Sequence, residues 1–170
     1  VLDRLKPLLE DSNLAKTAHN GNYDLTVLAN YGVNLRNLEF DTMVAAYLVG
    51  QKALGLKALA FQLLEEEMTP ITILIGSGSK QDSMANVSVE KAASYACADA
   101  DITGRIRQLL ELEVRRQGLW DLLAQVEMPF VPVLIRMQRD GVALDTQLLR
   151  EMSLRLTSKL GSLEVEVYSA

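Results

Sequence analysis

Only two segments of this chain, Leu14 to His19 and Leu35 to Phe40, read as buried strands, and a helix follows each. Asn20-Gly21 punctuates the first and leads to a helix over 23–31 that Gly32 closes. Asp41-Thr42 follows the second and caps a helix over 43–49. Short strands alternating with helices indicate an α/β or α+β domain, because a sheet of that kind needs helices on its faces. Two such strands are too few for a whole sheet. The expectation is a helix-rich piece of an α/β fold.

The rest of the chain is helical in pattern. Leu2, Leu5, Leu8 and Leu9 space an opening helix, and Asp11-Ser12-Asn13 ends it in a turn. Leu56 to Glu67 is amphipathic, with Leu56, Leu59, Ala60, Leu63 and Leu64 on one side. Gly76 to Lys80 is a flexible loop without a phosphate-cradling pattern. Ser88 opens a long helix from Val89 to about Gln117, stopped by Gly118. Composition then shifts. Trp120 to Arg139 is apolar and interrupted by Pro129 and Pro132, Val142 to Leu144 is a short extended piece, and Asp145 caps a last helix. These features place a domain boundary near Gly118–Trp120, dividing 1–118 from 119–170.

Composition narrows the function classes. A net charge of −5 with pI about 4.9 argues against a nucleic-acid binder that works by bulk charge. It leaves room for an enzyme that grips phosphodiesters through metal ions, whose sites are themselves acidic. One cysteine, Cys97, excludes a disulfide framework and a Cys-rich zinc site and fits a reducing cytosol. One histidine, His19, excludes a multi-histidine metal site. No apolar run approaches membrane-spanning length, so no membrane partner is expected.

Two constellations can carry chemistry. Asn20, Tyr23 and Asp24 stand where a strand hands over to a helix, a place where side chains project into the crevice of an α/β sheet. Asp24 there is also what a helix dipole favours without any chemistry. Tyr95 and Asp99, four residues apart, share one helix face among small residues that would let a substrate approach. Asp99 and Asp101 on a tightly packed helix facing water is the blander account. Together, two carboxylates from separate elements and a tyrosine suit two-metal phosphodiester cleavage with Mg²⁺ or Mn²⁺. Such a pair of ions needs about four carboxylates, so two aspartates do not suffice.

The order of these pieces resembles family A DNA polymerases of the bacterial polymerase I type. Asn20-Gly21-Asn22-Tyr23-Asp24 is similar to their second exonuclease motif, N-x-x-[FY]-D, and Tyr95-Ala96-Cys97-Ala98-Asp99 to their third, Y-x-x-x-D. Phe40-Asp41-Thr42-Met43, Leu56 to Ala60 and Gly76-Ser77-Gly78 fit the segments between. Glu127 to Leu134 and Met137 to Asp145 resemble the junction into the polymerase portion. The resemblance is colinear along the whole chain.

It implies a ribonuclease H-like 3′–5′ exonuclease fold lacking its N-terminal strands, followed by the first helices of a polymerase domain. Asp24 and Asp99 would be metal ligands, Asp99 for the ion that carries the nucleophilic water and Asp24 for the second. Tyr95 would orient that water, Asn20 would support the turn and the DNA end, and His19 is a candidate DNA contact or a satisfied strand-end histidine. Asn22 stands where the family often has lysine. The family's first motif, D-x-E, has no counterpart among Asp3, Glu10 and Asp11. The resemblance thus implies a fragment, inactive by itself, of a proofreading polymerase. The implied partners are single-stranded 3′ ends, primer-template DNA and the rest of the polymerase chain, in the bacterial cytoplasm with the nucleoid. Two alternatives share the motifs: a ribonuclease D-like RNA-trimming exonuclease, and a catalytically dead exonuclease-like scaffold.

Overall fold

The computed structural model describes residues 2–169 and divides into two compact units, 1–139 and 140–170. The first opens with helix α1 (Leu2–Glu10), then strand β1 (Lys16–Ala18), helix α2 (Gly21–Asn30), strand β2 (Leu38–Asp41) and helix α3 (Thr42–Leu48). Helices α4 (Leu56–Leu64), α5 (Thr72–Ile75) and the long α6 (Val89–Arg116) follow. A last run, α7 (Trp120–Leu122), a π-turn over Leu123–Glu127 and α8 (Met128–Asp140), closes the unit.

β1 and β2 pair in parallel, with Lys16 opposite Leu38 and Thr17 opposite Phe40, so the register slips by one residue between them. Their connection is α2, as a parallel pair requires a crossover. The core forms around this pair. Phe40 is fully buried with Ala45, Ala46, Leu59 and Ala60 from α3 and α4. Ile102, Ile106, Leu110 and Val114, each four residues from the next, turn one stripe of α6 onto them. Alanines at 45, 46 and 60 let the helices approach closely. Arg107 ties α6 to the sheet, donating to Thr17 Oγ1 and Glu39 Oε2, both at 2.6 Å, while its guanidinium lies over the Phe40 ring.

Several sequence expectations shift in detail. α2 begins at Gly21, two residues before the expected start, because Asp41 anchors the turn that precedes it. α4 ends at Leu64, short of Glu67, where Glu65 enters the left-handed region at φ 58°. Ser88 holds the N-cap position of α6 with extended backbone, but its side chain makes no capping bond. Residues 120–139 are helical through both prolines. The wider π-turn lies directly before Pro129, where the ladder loses an N–H donor. Leu123, Met128, Val131 and Ile135 of this run are buried in the same core as α6.

In the second unit Val142 to Leu144 pairs with no strand. Asp145 does cap α9 (Thr146–Ser169), its Oδ1 accepting from the Gln147 and Leu148 amides at 3.1 and 2.9 Å. No described residue of α9 is buried. No single helix among the described residues is long and apolar enough to cross a membrane.

Candidate active site

The turn between β1 and α2 is built around one buried carboxylate. Asp41 is 2% exposed and accepts four backbone hydrogens. Oδ1 takes Asn20 N at 3.1 Å, Met43 N at 2.8 Å and Val44 N at 3.4 Å; Oδ2 takes Gly21 N at 2.6 Å. It caps α3 and also clamps the start of α2, two helix N-termini that lie twenty-one residues apart in sequence. Asn20 takes up left-handed backbone, φ 60° and ψ 49°, a conformation that asparagine tolerates and most residues do not. Glycine at 21 keeps the turn uncrowded: a Cβ there would stand 2.8 Å from Leu38 Cδ2, 3.1 Å from Ala18 Cβ and 3.3 Å from Asp41 Oδ2, so Leu38 would have to shift. The clamp aims the first turn of α2, and with it Asp24, at the end of β1.

Asp24 meets Asp99 at a cavity of about 490 Å³, lined also by Thr17, His19, Leu56 and Thr103. Protein surrounding the Asp24 carboxyl, and then the negative charge of Asp41, push its pKa upward. The cavity therefore resists a further negative charge unless a cation accompanies it. His19 closes one side, its Nδ1 2.9 Å from Thr42 Oγ1, and the Thr42 hydroxyl in turn faces the Ala18 carbonyl at 3.3 Å. Burial holds the imidazole below its ordinary pKa against the pull of Asp41 and Asp99. A neutral ring bonded to Thr42 matches the satisfied strand-end histidine, and His19 still lines the cavity.

Asp99 faces two cavities. The second, of about 260 Å³, is bounded by Met68, Leu74, Lys91, Ser94 and Tyr95. Tyr95, one helical turn before Asp99, lines this neighbouring space and not the first cavity. Its hydroxyl is held protonated, above the usual phenol range, by burial first and then by the charge and hydrogen bonding of Asp99. Asn20 lines neither cavity and acts through the turn. Asn22 turns to α8, its Nδ2 donating to Gln138 Oε1 at 3.1 Å.

The donors suit a hard divalent cation in kind but not in number. Asp24 and Asp99 offer carboxylate oxygens, yet among the described residues no group of three or more His, Cys, Asp or Glu side chains converges. The residue that sequence reasoning undervalued is Asp41. Its capping role is legible from Asp41-Thr42, whereas its hold on Asn20 and Gly21 depends on the pairing of β1 with β2.

Known proteins share this sequence and fold. Residues 1–115 match the family model of the DNA polymerase A 3′–5′ exonuclease. DNA polymerase I of Chloroflexus aurantiacus is 40% identical over 171 residues, an alignment that covers 99% of this chain and 18% of that protein. The chain thus spans under a fifth of that relative's length. Among solved structures, the POL domain of Pol1 from M. smegmatis, in complex with DNA primer-template and dNTP, superposes with a TM-score of 0.75 at 24% identity. That match covers 94% of this chain and 25% of that one. Brucella melitensis NrnC with bound Mg²⁺ superposes with a TM-score of 0.64 at 25% identity, covering 81% and 64%. The mostly helical α/β arrangement is that of the ribonuclease H-like exonuclease fold. With more than half its length matched by the family model, and with the aspartates that close its N-x-x-[FY]-D and Y-x-x-x-D motifs, Asp24 and Asp99, lining one cavity, the chain belongs to the 3′–5′ exonuclease family of DNA polymerase A.

Proposed function

We propose that this chain carries part of the active centre of a DNA-trimming 3′–5′ exonuclease, with Asp24 and Asp99 as two of its metal-binding carboxylates. One observation carries the reading: the two aspartates come from different helices, 75 positions apart, and line a single cavity. A pair of Mg²⁺ or Mn²⁺ ions, when bound, would stabilise the attacking and leaving oxygens of the phosphodiester. Asp99 would hold one ion by a carboxylate oxygen, Asp24 would serve the other largely through water, and a D-x-E pair outside the described residues would complete the set of about four. Tyr95, kept protonated, has a hydroxyl that can orient a water beside Asp99. Asn20 would shape the turn that presents Asp24, and His19, which lines the cavity, would meet the nucleic-acid end.

In this reading residues 1–118 are exonuclease domain and 119–170 open the polymerase domain of a bacterial DNA polymerase I. Such an enzyme acts on single-stranded 3′ ends and on primer-template DNA. The near-complete colinear match to a DNA polymerase I supports that assignment. The test is 3′ trimming of labelled single-stranded DNA by the full-length protein. Asp24→Ala and Asp99→Ala should each abolish Mg²⁺-dependent trimming while primer extension continues. Normal trimming by Asp99→Ala would refute the reading, and preferential trimming of RNA would redirect it to a ribonuclease D-like activity. The 170-residue chain alone should be inactive and should bind Mn²⁺ weakly in calorimetry, because two carboxylates cannot hold two ions in register.

A further inference from the structure

Lys57 breaks the local rules of the helix it opens. It is the second residue of α4, whose N-cap Gly55 gives no side-chain bond and whose first turn carries no acidic residue. A cation at a helix N-terminus is opposed by the dipole, so Lys57 does not serve α4 itself. No carboxylate forms an ion pair with it among the described residues. Its ammonium lies instead 5.4 Å from the centroid of the Tyr95 ring, within the range of a cation–π contact. The contact links α4, anchored in the core by Leu59 and Ala60, to the half of α6 that has no buried residue before Ile102.

We infer that Lys57 is a positioning residue for Tyr95, fixing the ring so that its hydroxyl stays beside Asp99. The inference rests on the exonuclease reading above and extends it to a residue that touches neither aspartate. An ammonium on the ring face restrains the χ1 and χ2 angles of Tyr95 without using its hydroxyl, which is left to orient a water. On the otherwise exposed first half of α6, few other contacts would do so. Lys57 thus acts on the rate of the step and not on the grip on DNA.

Two measurements test this. In the 170-residue chain, the Lys57 ε-methylene protons should resonate upfield through the Tyr95 ring current and return to their ordinary position in Tyr95→Leu. Unshifted protons in the unsubstituted chain would overturn the proposal. In the full-length protein, Lys57→Met keeps the side-chain length and removes the charge. It should lower kcat for 3′ trimming about two- to fivefold with KM nearly unchanged, the worth of an exposed cation–π contact. Lys57→Arg should restore the rate. The loss should disappear when Tyr95→Phe is already present, since the hydroxyl being positioned is then gone. A loss seen in KM alone, or the same loss in the Tyr95→Phe background, would overturn it and make Lys57 a phosphate contact. Asp99→Ala in the same assay separates the two readings. If it is inactive while Lys57→Met trims at full rate, only the Lys57 proposal falls. If it trims normally, the exonuclease reading falls and takes this one with it.

Discussion

Asp24 and Asp99 reach the same cavity from supports of opposite kinds. Asp24 rides on a turn whose amides are fixed by the buried Asp41, with Gly21 packed against Leu38 and Ala18. Asp99 rides on the exposed part of α6, three residues before its first buried position at Ile102. One carboxylate is placed by a polar network centred on a buried side chain. The other is placed by a long helix clamped at its far end, where Ile102, Ile106, Leu110 and Val114 are buried and Arg107 bonds to the sheet. Such a network tolerates a vacancy poorly, because the Gly21 amide would lose its partner where it is buried. A surface helix tolerates many changes, because water replaces what is removed. Stability and activity should therefore separate across the cavity.

The sharpest break in that comparison is Asp99→Ala in the full-length protein. Trimming should fall by about a thousandfold or more, the several kcal/mol that a metal-borne charge contributes to the transition state. The midpoint of urea unfolding should hardly move, since the exposed helix face loses no core contact. Large destabilisation in Asp99→Ala would contradict the division.

Asp41→Ala should act the other way. It strands the buried amide of Gly21 and the part-buried amides of Asn20, Met43 and Val44, and about 2–3 kcal/mol of unfolding free energy should be lost. Urea denaturation followed by circular dichroism measures it. A loss under about 1 kcal/mol would show that water reaches these amides.

That carboxylate also marks where the sequence stops being legible. The N-x-x-[FY]-D and Y-x-x-x-D motifs, the strand candidates and the α6 span are local patterns, readable from periodicity and turn residues. The second role of Asp41 is a contact across β1 and β2, and no window along the chain contains both partners. The helix through Pro129 and Pro132 was hidden for a related reason. Proline removes an N–H from the helical ladder and argues locally for a break, whereas here Leu123 and Val131 are buried in the core on either side of Pro129 and the chain stays helical.

Gly21→Ala sharpens the same comparison at smaller scale. The new methyl would meet Leu38 and Ala18 at 2.8 and 3.1 Å, and overpacking of that sort costs about 1–3 kcal/mol. Gly104→Ala, on the α6 side of the cavity with nothing within 4 Å of a Cβ, should be neutral or slightly stabilising. Thermal melts of the two variants side by side give the contrast directly.

The smallest effect concerns Asp24 itself. Its pKa is raised in the folded protein, so ionising it opposes folding: the stability it contributes is present below the unfolded carboxylate pKa and is lost as pH rises through the folded one. Asp24→Asn, measured at neutral pH with a chelator present, should therefore raise the melting temperature, by no more than about 2 °C given its solvent exposure. The gain should vanish near pH 3, where both forms are neutral. His19 has the opposite sign. Its lowered pKa means that stability it contributes at neutral pH is lost as pH falls below the ordinary imidazole range.

By itself the sequence determined both strands and most of the helices, where the main turns fall, and which side chains have the chemistry for a metal-assisted cleavage. Those are consequences of spacing, capping and residue type, all of them short-range. Only the tertiary structure decided that Asp24 and Asp99 open on one cavity, that Asp41 serves two helix starts at once, and that Lys57 covers the Tyr95 ring. Each of these joins residues between 20 and 75 positions apart, and such contacts form only when burial of the α3, α4 and α6 faces against Phe40 brings the segments together.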